Sequence, residues 1–492
     1  MYHMRKANKK FYITTSIAYT NAAPHIGFAL EIVQADVLAR YHRILGEDAF
    51  FLTGTDEHGA KNARTAEESR RTPKEFTDEI SSRYRELTKT LNISNDEFIR
   101  TTDKIRHWPS VKKVWLALDK NGDLYRKKYN GLYCVGCEAF ITKKDMKNGK
   151  CIHHLKEPEV IQEENYFFRL SRYAPKIKKI IASGRVKIVP QSRAREMLAF
   201  ISKGLEDVSF SRPGKDLAWG VPVPGDNTQT IYVWADALTN YISILDYARA
   251  GAKFKKYWPA DVHCVGKDIL RFHAIIWLGI LLSLKLSLPK SIFVHGFITA
   301  GGQKMSKTLG NVIDPFELVK QYGVDSLRYY LLREIPSAED GDFTKGKFEE
   351  RYNADLAKGL GNLTARVVTL AAGIKIVRGN YSKEIKEAVD SAWRDYRRSL
   401  DDFKFNETLA AVWALIGFCD RYIERERPWE NKGGREDVIS DLLFALANIA
   451  SMLRPFMPET ADKIFGQLGV TPAEKKAWKF KPEKGASLFP RL

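Results

Sequence analysis

The sequence is poor in the features that mark secreted and membrane proteins. It has 5 cysteines, an odd number for 492 residues, which does not fit a disulfide framework and favours a reducing compartment. Its longest apolar run, Ile275–Leu288, is broken by Lys285 and is shorter than the roughly 20 residues that span a bilayer. The basic segment Met1–Lys10 is too short and polar for a secretory signal. We therefore expect a cytoplasmic protein without a membrane span, in which Ile275–Leu288 is a buried helix.

Acidic residues are also fewer than basic ones. The chain has 79 Lys and Arg against 60 Asp and Glu, a formal net charge of +19. A broad positive field suits a polyanion such as nucleic acid, although a basic soluble protein without such a partner has the same composition. Hydrophobic residues at 44% and aromatic residues at 12% are typical of globular proteins. The length allows about three or four domains, which excludes a single small binding module.

The order of apolar patterns predicts an α/β catalytic domain. Phe11–Ile17 is a β-rich run, helical spacing follows as far as Gly46, and Ala49–Thr53 predicts the next strand. This order is typical of a doubly wound, Rossmann-type parallel sheet, whose ligands bind beyond the carboxyl ends of the strands. The same pattern resumes at Thr230–Trp234 and at Val262–Val265.

Two regions depart from this pattern. Between about Tyr125 and Leu217, short aromatic runs with Cys, His and Lys predict an inserted module. After Phe348, apolar residues recur at helical spacing, which predicts an all-α bundle. The predicted segments are 1–122, the first half of the catalytic domain; 123–228, an inserted connective domain; 229–290, the second half; 291–347, a connector; and 348–492, a helical domain.

Two short motifs have the features of a nucleotide site. In Pro24-His25-Ile26-Gly27, a helix N-terminus attracts phosphate, Gly27 permits close approach and His25 can donate to a phosphate oxygen. Far downstream, Gly301-Gly302 precedes a basic segment that contains Lys304 and Lys307. These two lysines can neutralise the charge that develops as pyrophosphate leaves.

Taken in this order, the motifs resemble the HIGH and KMSKS signatures of the class I aminoacyl-tRNA synthetases, and the resemblance covers essentially the whole chain. It implies that ATP is used with Mg²⁺. The residues it assigns to ATP binding are His25, Gly27, Lys304, Ser306 and Lys307, and those it assigns to catalysis are His25, Lys304 and Lys307. Phe28 stands where the family usually has its second His, and Thr308 replaces the last Ser. Phe28 cannot donate a hydrogen bond to a phosphate as His would, so the catalytic role of this fourth position of the motif stays open.

The interval between the motifs is too short for the large editing domain of the isoleucine, valine and leucine enzymes. Methionine and cysteine therefore remain as the main candidates for the amino acid that is activated. The segments Ile17–Asn21, Thr53–Gly59, Tyr232–Leu238 and Gly266–His273 resemble methionyl-tRNA synthetases. Asp56, at the end of the second strand, is placed to hold an α-ammonium group, and aromatic and aliphatic walls suit a thioether. The resemblance assigns methionine binding to Ile17, Tyr19, Asp56, Trp234, Ala237, Leu238, Tyr241, Ile269 and His273.

The insertion contains a predicted zinc site. Cys134-x-x-Cys137 is followed after thirteen residues by Cys151-x-x-His154, two pairs of ligands such as a tetrahedral structural zinc requires. His153, beside His154, leaves the fourth ligand open. We predict one structural Zn²⁺ in this zinc knuckle, defined as residues Cys134–His154.

The helical region contains predicted RNA-reading residues. Gly361–Arg366 and Arg427–Trp429 resemble the family's anticodon-reading positions, which implies that Asn362, Arg366 and Trp429 contact the tRNA anticodon. Single-stranded RNA loops are read by stacking on aromatic rings and by hydrogen bonds to base edges. No appended module is expected after the bundle, so we predict a monomer.

The resemblance therefore implies a methionine–tRNA ligase. L-Methionine and ATP would form methionyl adenylate and pyrophosphate, and the methionyl group would pass to the 3′ end of methionine tRNA, elongator and initiator. Two alternatives stay open. One is a cysteine-specific class I enzyme. The other is a tRNA-binding relative whose catalysis is weakened, and Phe28 is the only residue that favours it.

Overall fold

The structure is a computed structural model that describes residues 9–141, 145–152, 155–305, 310–372, 381–430, 434–471 and 478–492. The chain forms two compact units. The first contains the residues up to Pro24 and His42–His295, and the second contains His25–Tyr41 and Gly296–Leu492. None of the described helices combines the length and apolar character that a membrane crossing needs.

The strands are β1 (Lys10–Thr15), β2 (Ala18–Tyr19), β3 (Asp48–Asp56), β4 (Glu97–Arg100), β5 (Leu124–Cys134), β6 (Ala139–Ile141), β7 (Met146–Lys147), β8 (Lys150–Cys151), β9 (Glu159–Phe168), β10 (Lys187–Val189), β11 (Val208–Ser209), β12 (Ser211–Pro213), β13 (Pro222–Val223), β14 (Asp226–Ile231), β15 (Val262–Gly266), β16 (Ser291–His295), β17 (Ile298–Ala300), β18 (Gln303–Lys304) and β19 (Gly341–Phe343).

The helices are α1 (Ile26–Ile44), α2 (Ala60–Glu68), α3 (Pro73–Thr90), α4 (Trp108–Lys120), α5 (Ala174–Ala182), α6 (Gln191–Ser202), α7 (Val233–Leu238), α8 (Asn240–Ser243), α9 (Ala252–Tyr257), α10 (Leu278–Ser283), α11 (Pro315–Tyr322), α12 (Val324–Arg333), α13 (Lys345–Arg351), α14 (Asn362–Ala371), α15 (Lys383–Asp401), α16 (Phe405–Glu426), α17 (Arg435–Leu453) and α18 (Pro458–Leu468). Phe272–Trp277 and Tyr352–Gly361 have the wider π-helical geometry, and 3-10 turns lie at Leu170–Tyr173 and Tyr247–Arg249.

A parallel sheet organises the first unit. Its order among the described strands is β10-β16-β15-β1-β3-β2, with β4 beside β3, and every pair is parallel. Ile13 in the buried strand β1 lies opposite Val262 on one side and Phe51 on the other. The predicted α/β fold with a Rossmann-type parallel sheet is confirmed. Its strand ends position the residues that precede α1 and those that follow β3.

A four-stranded antiparallel sheet lies within the predicted insertion. Its order is β11-β9-β5-β6, and the long pair β5 and β9 runs from Leu124 opposite Phe168 to Tyr133 opposite Glu159. The end of β5 delivers Cys134 to the zinc knuckle. The strand β10 also lies within the predicted insertion, but it pairs with β16 and so belongs to the parallel sheet. With three residues, β10 is too short to leave a periodic pattern in the sequence.

The interpretation of Thr230–Trp234 as part of the parallel sheet is wrong. The strand β14 ends at Ile231 and is antiparallel to β12 and β13, while Val233–Leu238 is the helix α7. A run of about five apolar residues has the same appearance in a buried strand and in a buried helix. Here the run crosses from one element into the other. By contrast, the helical reading of Ile275–Leu288 is confirmed as far as Ser283, the end of α10.

The second unit joins α1 to a mainly helical region. Arg328 of α12 is fully buried, and its Nη2 lies 2.7 Å from Asp36 Oδ2 in α1. The same guanidinium donates to the carbonyl oxygens of Phe456 (2.8 Å) and Pro455 (2.9 Å), just before α18. A buried charge must be paired and hydrogen-bonded to be tolerated, so this network holds α1 in the unit. The predicted C-terminal helical bundle, α14 to α18, is confirmed.

Candidate active site

One oxygen of the Asp56 carboxyl is buried and has no hydrogen-bond partner among the residues that the structure describes. Asp56 ends β3 and is 6% exposed, and within the described part of the chain no group donates to its Oδ1. Burial, and then the negative charges of Asp236 and Glu138, raise the pKa of Asp56 well above its ordinary value. Because such a carboxylate is costly unless it is satisfied, this oxygen is suited to accept a ligand's ammonium group.

Asp236 of α7 forms hydrogen bonds with two histidines, one of them in the segment that follows β3. Its Oδ2 lies 2.6 Å from His58 Nδ1, its Oδ1 lies 2.9 Å from His107 Nε2, and all three side chains are buried. Burial opposes the ionised form, but the nearby His58 and the hydrogen bond with His107 lower the pKa of Asp236 to about 2. These bonds hold α7, which carries three of the predicted methionine-binding residues, against the chain just beyond Asp56.

Tyr241 and His273 are the most deeply buried polar pair of the predicted pocket. Tyr241 Oη lies 2.6 Å from His273 Nε2, and the Tyr241 carbonyl accepts a 2.8 Å hydrogen bond from Tyr12 Oη. Ala237 and Leu238 are buried as well. With their polar atoms occupied, these aromatic rings present carbon surface, which suits an uncharged thioether.

The other predicted wall residues are partly exposed. Trp234 stacks on Phe272, with ring centroids 3.6 Å apart, and Phe272 precedes His273 in the π-helical stretch. Tyr19 lies opposite Asp56 in the β2–β3 ladder. The wall residues that are partly buried and pack against the hydrophobic core of this unit are Ile17, Tyr19, Trp234 and Ile269.

The zinc knuckle brings three predicted ligands together. The Sγ atoms of Cys134, Cys137 and Cys151 all lie within 4.8 Å of one another, and those of Cys137 and Cys151 are 3.6 Å apart. Tetrahedral zinc with Zn–S bonds of about 2.3 Å places its sulfurs about 3.8 Å apart, so the cysteines fit the ion. His154 lies outside the described residues.

In the second unit, His25 caps the start of α1. Its Nδ1 accepts a 3.0 Å hydrogen bond from the backbone N–H of Gly27, and burial lowers the pKa of the ring. Because a backbone N–H can only donate, the neutral ring carries its proton on Nε2. A Cβ at Gly27 would lie 2.8 Å from His25 Cε1, so the glycine leaves room for the ring. His25 is therefore set to donate at a helix N-terminus.

The second nucleotide motif meets the first within this unit. Ile26 donates its backbone N–H to the carbonyl of Ile313 at 3.2 Å, and Met305 Cε lies 4.0 Å from the position of a Cβ on Gly27. Lys304 is exposed in β18, after a two-residue turn in which Gly301 and Gly302 both have positive φ. Such a turn favours glycine at both positions.

The remaining residues of this motif that carry predictions, Ser306, Lys307 and Thr308, lie outside the described residues. The part that is described places Lys304 on the strand that leads into them. It also places Ile313, on the far side of them, against the start of α1.

The predicted anticodon residues lie on the surface of the second unit. Asn362 is exposed at the start of α14, and Arg366, one turn later, forms an ion pair with Glu424 near the end of α16 (2.6 Å). Trp429 follows α16 and is 49% exposed, with its Nε1 3.3 Å from Glu430 Oε1. A large aromatic ring left open in this way is available for stacking.

Comparison with known proteins decides the family. The pattern described as "tRNA synthetases class I (M)" matches residues 11–151 and 141–368, and "Anticodon-binding domain of tRNA ligase" matches residues 382–484. A methionine–tRNA ligase of Caldanaerobacter subterraneus subsp. tengcongensis is 43% identical over 98% of this chain and 79% of its own length. The chain belongs to the methionyl-tRNA synthetase family.

Other members of the methionyl-tRNA synthetase family are also similar to this chain over nearly its whole length. The methionine–tRNA ligase of Brucella suis biovar 1 is 41% identical over 96% of this chain and 93% of its own length. The solved Mycobacterium tuberculosis methionyl-tRNA synthetase in complex with methionyl-adenylate superposes with a TM-score of 0.93 at 34% identity, covering 98% of this chain and 100% of that one. The resemblance to this family drawn from the sequence is confirmed.

Several residues around the pocket were not predicted from the sequence. His58 and Asp236 lie inside family-like segments, but their bond joins positions 178 residues apart. His107 and Glu138 lie outside those segments. Glu138 adjoins the predicted ligand Cys137, and His107 adjoins no predicted strand or motif. A charged or imidazole side chain alone is common on protein surfaces and gave no signal.

Proposed function

We infer that this protein is a methionine–tRNA ligase, which uses ATP to convert L-methionine to methionyl adenylate and transfers the methionyl group to the 3′ end of methionine tRNA. The observation that carries this function is the buried Oδ1 of Asp56, which has no hydrogen-bond partner among the described residues and lies beside an aromatic wall. That combination fits an amino acid whose ammonium is cationic and whose side chain is uncharged. Relatives at about 40% identity that are named methionine–tRNA ligases favour methionine over cysteine.

In the proposed binding mode, Asp56 accepts the α-ammonium group and the thioether lies against Trp234, Tyr241 and Ile269. Ile17, Tyr19, Ala237, Leu238 and His273 complete the proposed pocket. The Tyr241–His273 bond and the Asp236 network are made by the protein's own side chains, so they hold the walls without a contribution from the ligand, and little side-chain ordering opposes binding.

For the ATP side, we propose that His25 donates its Nε2–H to a phosphate oxygen at the N-terminus of α1. Gly27 allows the nucleotide to approach, and Lys304, Ser306 and Lys307 neutralise the departing pyrophosphate. A carboxylate oxygen of methionine attacks the α-phosphorus, which expels pyrophosphate, and a terminal ribose hydroxyl of tRNA then attacks the carbonyl and expels AMP. Positioning and charge stabilisation supply the rate. Mg²⁺ is proposed to accompany ATP and to supply positive charge at its phosphates.

The proposed structural zinc is held by Cys134, Cys137 and Cys151, with His154 as the fourth ligand. The zinc supplies the cross-link that keeps these chain segments together. Elemental analysis of protein purified without added metal should find about one zinc per chain, and Cys151→Ser should lower that content. A folded, metal-free wild-type protein would contradict the assignment.

At the RNA end, we propose that Asn362, Arg366 and Trp429 read the anticodon of elongator and initiator methionine tRNA. We further propose that the protein is a cytoplasmic monomer. The segment boundaries 1–122, 123–228, 229–290, 291–347 and 348–492 are proposed as the functional division of the chain. Within them, β10 and β16 belong structurally to the parallel sheet.

Amino-acid-dependent exchange of pyrophosphate into ATP tests the function most directly. Run with each of the twenty amino acids, it should respond to methionine. A response to cysteine instead would favour the alternative enzyme, and no response to any amino acid in folded protein would favour the weakened tRNA-binding relative.

A further inference from the structure

Glu138 is a buried carboxylate at the edge of the zinc knuckle. It follows Cys137 directly, is 4% exposed and has φ +50°, in the left-handed region. A carboxylate buried to this degree is tolerated only when hydrogen bonds satisfy it. Its surroundings show which groups do so.

Three donors converge on the two Glu138 oxygens. Oε1 accepts a 2.7 Å hydrogen bond from Tyr19 Oη and another from the backbone N–H of Lys61, and Oε2 accepts from Tyr133 Oη. Glu138 and Tyr19 are 119 residues apart in the chain. The bond therefore joins the knuckle to the carboxyl-end edge of the parallel sheet.

The local backbone is shaped around this contact. A Cβ on Gly59 would lie 2.4 Å from Tyr19 Oη and 2.9 Å from Glu138 Oε1. Gly59 also has φ +106°, where other residues are strained. A glycine at this position thus leaves room for the Tyr19–Glu138 bond.

Tyr19 connects Glu138 to the amino-acid pocket. It lies opposite Asp56 in the β2–β3 ladder, so its ring stands beside the carboxylate proposed to hold the ammonium. The preceding knuckle residue contacts a second wall residue, because the Cys137 carbonyl accepts a 3.4 Å hydrogen bond from Trp234 Nε1. Two consecutive knuckle residues therefore hold two aromatic side chains of the pocket.

We propose that Glu138 is a positioning residue for methionine binding, which holds the Tyr19 ring in place through the Tyr19 hydroxyl. The proposal rests on the proposed function, because it concerns the same pocket. In the proposed role, Glu138 makes no contact with the ligand. Its effect on methionine passes through Tyr19.

A double-mutant cycle tests this role. Tyr19→Phe removes only the hydroxyl, Glu138→Ala removes the acceptor, and the double variant removes both. Tyr19→Phe should raise KM for methionine about five- to tenfold, the effect of one lost hydrogen bond. Glu138→Ala should raise it by at least as much, because the bonds from Tyr133 and from the Lys61 backbone are lost as well. In both variants kcat and KM for ATP should stay near wild type in pyrophosphate exchange. The double variant should be no worse than the worse single variant, because both changes break the same contact.

Glu138→Gln is the conservative variant. Its amide oxygen can still accept from Tyr19, and the Tyr133 hydroxyl can reverse to accept from the amide NH₂. KM for methionine should return to within about threefold of wild type. Should Glu138→Ala fail to fold, the rise in KM for methionine in Tyr19→Phe decides by itself, with Glu138→Gln as the folded reference that keeps the contact.

Asp123→Asn is the matched control. Asp123 is a buried carboxylate of the same unit that also accepts from a tyrosine hydroxyl, that of Tyr173, and it has no contact with the pocket residues among its described bonds. It should change melting temperature without changing KM for methionine.

Three results would overturn the proposal. They are a wild-type KM for methionine in Tyr19→Phe, multiplicative effects in the double variant, or a parallel loss of melting temperature, kcat and both KM values. Multiplicative effects would mean that Glu138 acts on the ligand by another route. If wild-type protein lacks methionine-dependent exchange altogether, the proposed function fails instead, so the two failures are distinct.

Discussion

Aromatic side chains are held in opposite ways at the amino-acid pocket and at the proposed anticodon end. Tyr241 is 1% exposed, and both its hydroxyl and its carbonyl oxygen are hydrogen-bonded. Trp429 is 49% exposed, and its described bond is to the neighbouring Glu430. The first ring lost its freedom when the protein folded, while the second keeps an open face.

This difference matches the two ligands proposed. A small thioether is recognised by shape, so fixed walls avoid an ordering cost at the moment of binding. An RNA base brings its own large flat surface and needs an accessible ring on which to stack. Changes in the pocket should therefore alter methionine activation, and changes at Trp429 should alter tRNA charging alone.

The largest effect is expected at Asp56. Asp56→Asn should lower kcat/KM for methionine in pyrophosphate exchange by about 100- to 1000-fold, within the 2–5 kcal/mol that loss of one partner of a buried charged contact costs. Asn keeps the shape but not the charge. Exchange close to wild type in this variant would remove Asp56 from the pocket, and the buried region would then have no assigned ligand contact to set against Trp429.

Asp56→Asn should lower activity but raise the stability of the folded protein. Burial raises the folded pKa of Asp56, so the folded state holds this proton more tightly than the unfolded state. Its contribution to stability is fully present below the ordinary carboxyl pKa of about 3.9 and is lost as pH rises through the raised value. Asp56→Asn lacks this loss, so its melting temperature should exceed that of wild type by an amount that grows as the pH rises from about 4 towards the raised pKa of Asp56.

Trp429→Ala is expected to have the next largest effect, confined to RNA. Loss of one base stack of about 1–3 kcal/mol should lower tRNA charging roughly ten- to a hundredfold at limiting tRNA. Pyrophosphate exchange and melting temperature should stay near wild type, because the ring is half exposed. Trp393→Ala is the control, since Trp393 is buried in the bundle and its loss should cost about 3–5 kcal/mol of stability. If Trp429→Ala melts like the control, or loses both activities together, the anticodon assignment is wrong.

A smaller effect is expected from Gly27→Ala. The new Cβ would press on the His25 ring, 2.8 Å from Cε1, and displace its Nε2–H from the phosphate. A misplacement on the order of 1 Å can cost up to about 100-fold, and the mobile side chain should limit the fall in exchange kcat to about tenfold. KM for methionine should not change. Gly346→Ala, where a Cβ meets nothing within 4 Å, should leave exchange unaltered.

The smallest effect is expected from Phe28→His. If position 28 supplies a phosphate donor in related enzymes, exchange should speed up by about two- to threefold, near the lower limit for one hydrogen bond. Phe28→Leu, which adds no donor, should not give this gain. An unchanged or slower rate in Phe28→His would show that another donor compensates or that the ring is needed for packing.

Secondary structure and the cysteine cluster could be predicted from the sequence where the pattern lies within a short stretch of chain. The alternation of strand and helix in the first 60 residues, the helical C-terminal region and the spacing of Cys134 and Cys137 are patterns within short windows, and the structure has the corresponding elements. The prediction from sequence failed at Thr230–Trp234, where a strand and a helix share one apolar run. It also missed β10, whose three residues owe their strand conformation to pairing with β16.

The sequence by itself determined the chemistry available to this protein: a capped helix with His25 and Gly27, a lysine-bearing loop, paired metal ligands and an acidic residue at a strand end. These follow from residue type and spacing. Only the tertiary structure decided how each group is used. It left Asp56 Oδ1 without a partner in the described part of the chain, gave Glu138 a hydrogen bond from Tyr19, and paired Asp236 with two histidines. The physical reason is that burial and hydrogen-bond pairing depend on residues 100 or more positions away, such as the 119 between Tyr19 and Glu138.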